Sequence, residues 1–321
     1  MKAVWAAAMA MAATIGVTSG AEARISGPYQ SGNLSVFLVH AEPTGGGNTG
    51  AYLTLDEALA SNQAAVYETG DVNELQVENK SKDRTLFIQA GDIVKGGRQD
   101  RVLSVDLVLP PGSGKTAITA FCVEQGRWSA RGGDSGQQFA SAEKSLAGKD
   151  LKLAAKSKRS QTEVWNAVAQ TQAKLAESVG EDVAAADSPT SLQLSLENEA
   201  LTKAVGEHVA ALKALAEEHP DAVGYLYAVN GKISGGDVYA SPALFRKLWP
   251  RLLEASVTEA VAERSEEASN GVAGADDAAA ATDQELPAGV TLVSRETDKA
   301  AAFETRSAAA EGWLHRSYIV K

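Results

Sequence analysis

The sequence predicts an α+β fold, with a largely antiparallel β-sheet in the N-terminal half packed with helices from the C-terminal half. Two patterns carry that expectation. As far as about residue 125 the chain is a series of short β-rich runs bounded by Gly, Asn, Asp and Pro, the spacing of strands joined by turns. From residue 160 onward apolar residues recur mainly at the helical period. A composition of 44% apolar and 22% charged residues over 321 positions is that of a globular chain with material for a sizeable core.

The first 23 residues are set apart. Met1-Lys2 gives a short positive start, Ala3 to Val17 is apolar and uncharged, and Ala21-Glu22-Ala23 places small residues where a signal peptidase reads them. This is the pattern of a cleavable export signal, too short for a comfortable membrane span of about 20 residues. A mature chain from Arg24, soluble and secreted or periplasmic, is therefore expected. Cys122 is the single cysteine, so no disulfide can form within the chain.

The strand series follows. Leu34 to His40 is the first β-rich run. Thr54 to Ser61 breaks the series with one or two helical turns, Thr54 as cap and Asp56 and Glu57 in the first turn. Ala65 to Glu68, Leu75 to Glu78 and Thr85 to Gln89 are further strands. Arg101 to Leu109 alternates, with Leu103, Val105, Leu107 and Leu109 on one face, and Pro110-Pro111-Gly112 stops it. Ala117 to Glu124 is the next strand, rich in β-branched and aromatic residues.

In the second half, Ser160 to Glu163 has the form of a capping box. Trp165, Val168, Leu175 and Val179 then follow at helical spacing, and Gly180 closes that helix. Leu201, Val205, Val209, Leu212 and Leu215 form a second stripe, ended by His219-Pro220. Val223 to Ser234 is a hairpin turning at Asn230-Gly231. Ser241-Pro242 opens a third helix striped by Phe245, Leu248, Leu252 and Val257, with Pro250 inside it. Residues 263–286 hold much of the formal charge of −11: Glu263 to Glu285 contains seven acids and one base among Ala, Ser, Gly and Asn. That composition predicts a flexible acidic insertion within a single domain spanning 24–321. Val290 to Ser294 and Trp313 to Val320 return as strands. The chain has no basic stripe, which excludes nucleic acid as an expected partner.

Gly112-Ser113-Gly114-Lys115-Thr116 resembles a phosphate-binding loop only superficially. The full pattern needs a glycine where Leu109 stands, and the loop must open a helix, whereas Ala117 to Val123 favours a strand. It is expected to be a hairpin turn. His40, His208, His219 and His315 do not fall at metal-ligand spacing, so neither a metal nor a cofactor is expected. Cys122, within a strand, is expected as a small core residue.

One stretch is denser in polar chemistry than a sheet needs: Gly91 to Arg101, including Asp92, Gly96, Gly97, Arg98, Gln99 and Asp100. The paired glycines permit positive φ or a close backbone approach. Strand parity turns Gln99 and Arg101 inward with Leu103, and an inward arginine needs a carboxylate or a ligand anion. Glu124, Arg127 and Trp128 end the neighbouring strand. If the two strands pair, Arg101 and Glu124 meet at their open end. Three roles follow. The first is a binding module for a small anionic, sugar- or nucleotide-type ligand, held by Gly96, Gly97, Arg98, Gln99, Arg101, Arg127 and Trp128. The second is a hydrolase of a glycosidic or phosphoester bond, with Glu124 as acid or base and Asp92 as its partner. The third is a structural envelope or interaction protein in which Arg101 and Glu124 pin the strand ends.

The same motifs carry a family resemblance. Gly91 to Pro110, centred on Gly96-Gly97-Arg98-Gln99-Asp100-Arg101, resembles the signature of a domain family named for its association with ADP-ribosylglycohydrolases and rhodanese-phosphatase proteins. Cys122 to Trp128 resembles its second motif, and Gln161 to Trp165, Val223 to Asp237 and Phe245 to Leu253 are similar to its later blocks. The resemblance covers nearly all of the chain after the export signal, apart from the acidic stretch. Where that family more often shows asparagine between Gln and Arg, this chain has Asp100. The resemblance implies chemistry around ADP-ribose or a related nucleotide sugar, without an established reaction.

Overall fold

The computed structural model describes residues 24–40, 52–127, 139–141, 147–264, 281–307 and 312–321. The chain divides into two compact units, Met1–Thr49 with Gly206–Lys321, and Gly50–Val205. The expected export signal (1–23), Trp128 and most of the acidic stretch lie outside the described residues.

The first unit is built on an eight-stranded sheet. Its strands lie in the order Arg24–Ser31, Leu34–His40, Ala222–Val229, Lys232–Tyr239, Gly312–Val320, Ala300–Ser307, Val290–Glu296 and Thr282–Leu286. Every pair is antiparallel. The hairpin at Asn230-Gly231 forms as the sequence predicts: both residues have positive φ, 50° and 77°, the requirement of a tight two-residue turn matched to strand twist. Period-two alternation sorts the side chains of Ala222–Val229. Leu226 and Ala228 join Phe37, Val39, Val238, Ala300 and Tyr318 in one apolar cluster, where each large side chain removed from water contributes about 1.5–3 kcal/mol. Tyr225 and Tyr227 meet the helix Pro242–Ala262 instead. The Tyr225 hydroxyl lies 3.0 Å from Ser256 Oγ, and Tyr227 donates to Glu259 Oε2 at 2.8 Å. That helix is capped by Ser241, whose Oγ accepts from Leu244 N–H, and it runs through Pro250.

The second unit holds a six-stranded antiparallel sheet, ordered Phe139–Ser141, Ile93–Gly96, Arg101–Leu103, Gly114–Cys122, Glu74–Asn79 and Ala64–Glu68. A smaller sheet joins Leu53–Thr54, Leu86–Ile88 and Leu107–Leu109. Thr54 caps the helix Leu55–Ala60 in a complete capping box with Glu57. The helix Gln161–Val179 starts at Ser160 and ends at Gly180 with φ 75°. Only half of its expected box forms: Ser160 Oγ accepts from Glu163 N–H, while the Glu163 carboxylate pairs with Lys158. Its buried stripe is Val164, Ala167, Val168 and Leu175, with Trp165 half-buried. The glycine-rich turn before Lys115 leads into the strand Gly114–Cys122, and Lys115 Nζ lies 4.2 Å from the Tyr67 ring centroid.

The fold is α+β with large antiparallel sheets, but two expectations are corrected. The expected N-terminal sheet packed with C-terminal helices is not what forms, because strands of the second half, several of them expected, build most of a sheet of their own. Six of the eight in the larger sheet come from Ala222–Val320, and one of them, Ala222–Val229, pairs with Leu34–His40. Ala300–Ser307 escaped detection because its alanines carry little β signal, and Thr282–Leu286 because it lies inside the acidic stretch read as flexible. Arg101 to Leu109 is also not one strand. Arg101–Leu103 belongs to the six-stranded sheet and Leu107–Leu109 to the smaller one. The chain changes sheet at Ser104 to Asp106, where the backbone N–H of Ser104 donates to Thr119 O and Asp106 Oδ1 accepts from Ala90 N–H at 2.7 Å.

Candidate functional site

The polar stretch folds as a hairpin. Ile93–Gly96 pairs with Arg101–Leu103, Val94 opposite Arg101, and the turn between them starts at Gly96 and Gly97 with φ 120° and 55°. A side chain at Gly97 could not fit: its Cβ would fall 2.3 Å from Phe139 Cζ and 2.7 Å from Glu68 Oε1. On its other edge Arg101–Leu103 pairs with Gly114–Cys122, placing Arg101 opposite Cys122.

This architecture turns Arg101 inward, as strand parity predicts, and seals it: its exposure is 0%. Nη1 donates to Gln99 Oε1 at 3.3 Å and to Cys122 Sγ at 2.8 Å. Nη2 stands 3.6 Å from Glu68 Oε2. The other Glu68 oxygen accepts from Arg98 N–H at 2.8 Å, so one carboxylate both faces the buried guanidinium and fixes the turn. Gln99 Nε2 donates to Glu124 O at 2.9 Å. Arg98 itself is exposed.

A second group adjoins the first. Asp100, buried, accepts from Gly96 N–H at 2.9 Å through Oδ1 and from Ser191 Oγ at 3.4 Å through Oδ2. Glu124 has 0% exposure. Arg127 Nη2 stands 2.6 Å from Glu124 Oε2 and 3.8 Å from Asp100 Oδ1. The Ser188 hydroxyl donates to the other Glu124 oxygen. Ser191 also caps the helix Leu192–Leu196, so the cluster ties the hairpin to that segment. The Gln161 side-chain amide extends the strand edge, accepting from Cys122 N–H at 2.9 Å and donating to Cys122 O at 2.8 Å.

Three carboxylates and two guanidinium groups thus lie together, with Asp100, Arg101 and Glu124 buried and Glu68 and Arg127 half-buried, and each buried charge requires compensation by its neighbours. The two strands pair as expected, with Arg101 opposite Cys122, and both Arg101 and Glu124 are buried. The strands continue into packed segments from 68 and 188–191 that sequence proximity does not reveal. Glu124 is engaged by Arg127, Ser188 and the cluster. Asp92, named as its catalytic partner, accepts from Gln89 N–H at 2.9 Å and so serves its own turn. Cys122 is buried, as expected of a core residue, and burial pushes its thiol pKa up against the opposing pull of Arg101. Glu68, Ser188 and Ser191 were not anticipated. Glu68 ends a strand of ordinary alternation, and the two serines stand in a segment without a motif. Only the inward arginine signalled that a carboxylate had to meet it.

The antiparallel sheets and this buried charge cluster define an α+β protein whose central motif is a glycine-turned hairpin anchored by carboxylates. The chain belongs to the ARPP-1 family, the ARG and Rhodanese-Phosphatase-superfamily-associated Protein domain, whose profile matches residues 22–319. No curated protein and no solved structure matches the chain. Among the described residues no helix is long and apolar enough to cross a membrane.

Proposed function

We propose that the chain is exported and that its second unit is a binding module for a small anionic ligand of the sugar-phosphate or nucleotide type. The observation that carries this reading is the fixed turn bearing Arg98. Buried Asp100 holds the N–H of Gly96 and half-buried Glu68 holds the N–H of Arg98, while the Arg98 side chain is exposed. An exposed guanidinium on a turn held this way loses little freedom when it engages phosphate or carboxylate. Arg101 and Gln99 then act behind the surface, keeping Glu68 and the turn in place. Arg127, whose side chain is 10% exposed, lies at the cluster's edge. Membership of a family named for ADP-ribosylglycohydrolase and rhodanese-phosphatase partners supports ADP-ribose-like compounds as the first ligands to try. Hydrolysis at Glu124 receives less support, because a buried carboxylate against a guanidinium is poorly suited to giving up or taking a proton.

The test is a thermal-shift screen with ADP-ribose, nucleotides and sugar phosphates. A rise in melting temperature that Arg98→Ala removes, without changing the unliganded melt, supports the reading. A flat screen overturns it and leaves the cluster with a structural role. For export, expression with residues 1–23 intact should yield a shortened chain outside the cytoplasm, beginning near Arg24; retention of the intact chain inside would reject it.

A further inference from the structure

The first unit carries a separate constellation that none of the motifs above includes. Ser26 stands on the edge strand Arg24–Ser31, His40 is the last residue of Leu34–His40, and Asp221 immediately precedes Ala222–Val229. The register places His40 opposite Arg24 on one side and opposite Ala222 on the other, with Ser26 opposite Leu38. Ser26 and His40 therefore share a sheet face, on diagonal positions of neighbouring strands, and Asp221 enters from the far side. Pairing is interrupted after Ser26, between Ser26 and Tyr29.

The two ring nitrogens of His40 face different groups. Ser26 Oγ lies 2.7 Å from Nε2, and Asp221 Oδ2 lies 3.0 Å from Nδ1. The second approach is an ion-pair contact. A carboxylate at Nδ1 selects the tautomer with its proton there and leaves the Nε2 lone pair directed at the serine hydroxyl. Tyr29 donates its hydroxyl to Ser26 Oγ at 3.2 Å and lies 2.8 Å from His219 Nε2. With the His219 proton on Nε2 and the His40 proton on Nδ1, the proton inventory closes: His219 donates to Tyr29, Tyr29 to Ser26, and Ser26 to His40. His40 is buried, whereas Ser26 is half-exposed and Asp221 exposed, so the hydroxyl can be reached and the base is shielded. Burial lowers the His40 pKa, with Arg24 and His219 acting in the same direction and Asp221 opposing, which keeps the ring neutral and able to accept a proton.

We propose that Ser26, His40 and Asp221 form a nucleophilic site that hydrolyses carboxylic esters. Ser26 Oγ attacks the ester carbonyl while its proton passes to His40 Nε2. The C–O bond to the alcohol then breaks, and the leaving oxygen takes the proton from His40. Water, deprotonated in turn by His40, attacks the acyl carbon; Oγ leaves and recovers the proton. The net reaction is ester plus water to acid plus alcohol. Ser26 is the nucleophile and His40 the general base and acid. Asp221 is a positioning residue. Tyr29, whose hydroxyl donates to Ser26 Oγ, is a second positioning residue that orients the nucleophile. The site lies in a different unit from the Arg98 turn and stands or falls independently of it.

The experiment is covalent labelling of the purified protein with a fluorophosphonate, read by intact mass and peptide mapping, alongside turnover of p-nitrophenyl acetate. One adduct per chain on Ser26 is expected. Ser26→Ala should lose both adduct and turnover while keeping its melting temperature. Asp221→Asn should lower kcat by about 10²-fold or more at similar KM, a split that a purely structural contact would not produce. Failure of the folded wild-type protein to label, or labelling that persists in Ser26→Ala, overturns the assignment.

Discussion

The Arg101 guanidinium stands 3.6 Å from the Glu68 carboxylate, on two different strands of one sheet, with Arg101 sealed from water. Glu68→Gln keeps an oxygen for the Arg98 N–H but leaves the buried guanidinium without that charge. Removing one partner of such a pair costs about 3–5 kcal/mol. Urea unfolding should show a loss of that order. The double variant Arg101→Met with Glu68→Leu should be less destabilised than the sum of the singles. A Glu68→Gln protein as stable as the parent would contradict this account of the cluster.

Gly97 and Gly231 both have positive φ, yet they predict opposite tolerance. At Gly97 an added Cβ meets Phe139 and Glu68 at under 3 Å, whereas at Gly231 nothing lies within 4 Å. Asparagine accepts the left-handed region more readily than other side chains. Gly231→Asn should therefore be tolerated with little loss of stability, while Gly97→Asn should cost about 1–3 kcal/mol through overpacking. Paired melts of the two variants check this directly.

What the sequence disclosed follows from where the information is local. Caps and turns need only four or five neighbouring residues, so Thr54, Gly180 and the Asn230-Gly231 hairpin were all legible. Strand parity is equally local and turned Arg101 inward correctly. The change of sheet at Ser104 to Asp106 was not legible, because alternation continues unbroken across it and only the hydrogen bonds to Ala90 and Thr119 reveal the bend. The partners of Arg101, Glu124 and His40 come from Glu68, Ser188 and Asp221, which stand 33, 64 and 181 residues away in sequence. No spacing rule reaches that far.

Cys122 yields a prediction about reactivity. Its thiol is buried, and burial raises its pKa more than the Arg101 contact lowers it. The thiolate is the reacting species, so alkylation by iodoacetamide at neutral pH should be slow in the native protein and fast in urea. Arg101→Met removes a cation 2.8 Å from the sulfur and should slow the native reaction further wherever the fold survives. Rapid native alkylation would contradict both the burial and the pKa direction.

Acid should weaken the first unit in two separate stages. The pKa values of His40 and His208 are lowered from 6.5, each chiefly by burial. At His40, Arg24 and His219 assist while Asp221 opposes; at His208, Arg264 assists while Glu207 opposes. The unfolded chain therefore binds protons at these histidines before the folded chain does, and stability rises with pH through that window. On acidification the loss begins near 6.5 and continues down to the lowered native values. Asp221 and Glu304 also have lowered pKa values, from 3.8 and 4.5, Asp221 through His40 and Glu304 through Arg306 and Arg316, each against the cost of burial. Their contribution is present above those values and is lost only as pH falls further. Melting temperature should thus decline first as pH falls below about 6.5 and again below about 4.5. His208→Gln should reduce the first decline, and Arg316→Met the second. A melting temperature independent of pH from 7 to 5 would contradict the histidine assignment.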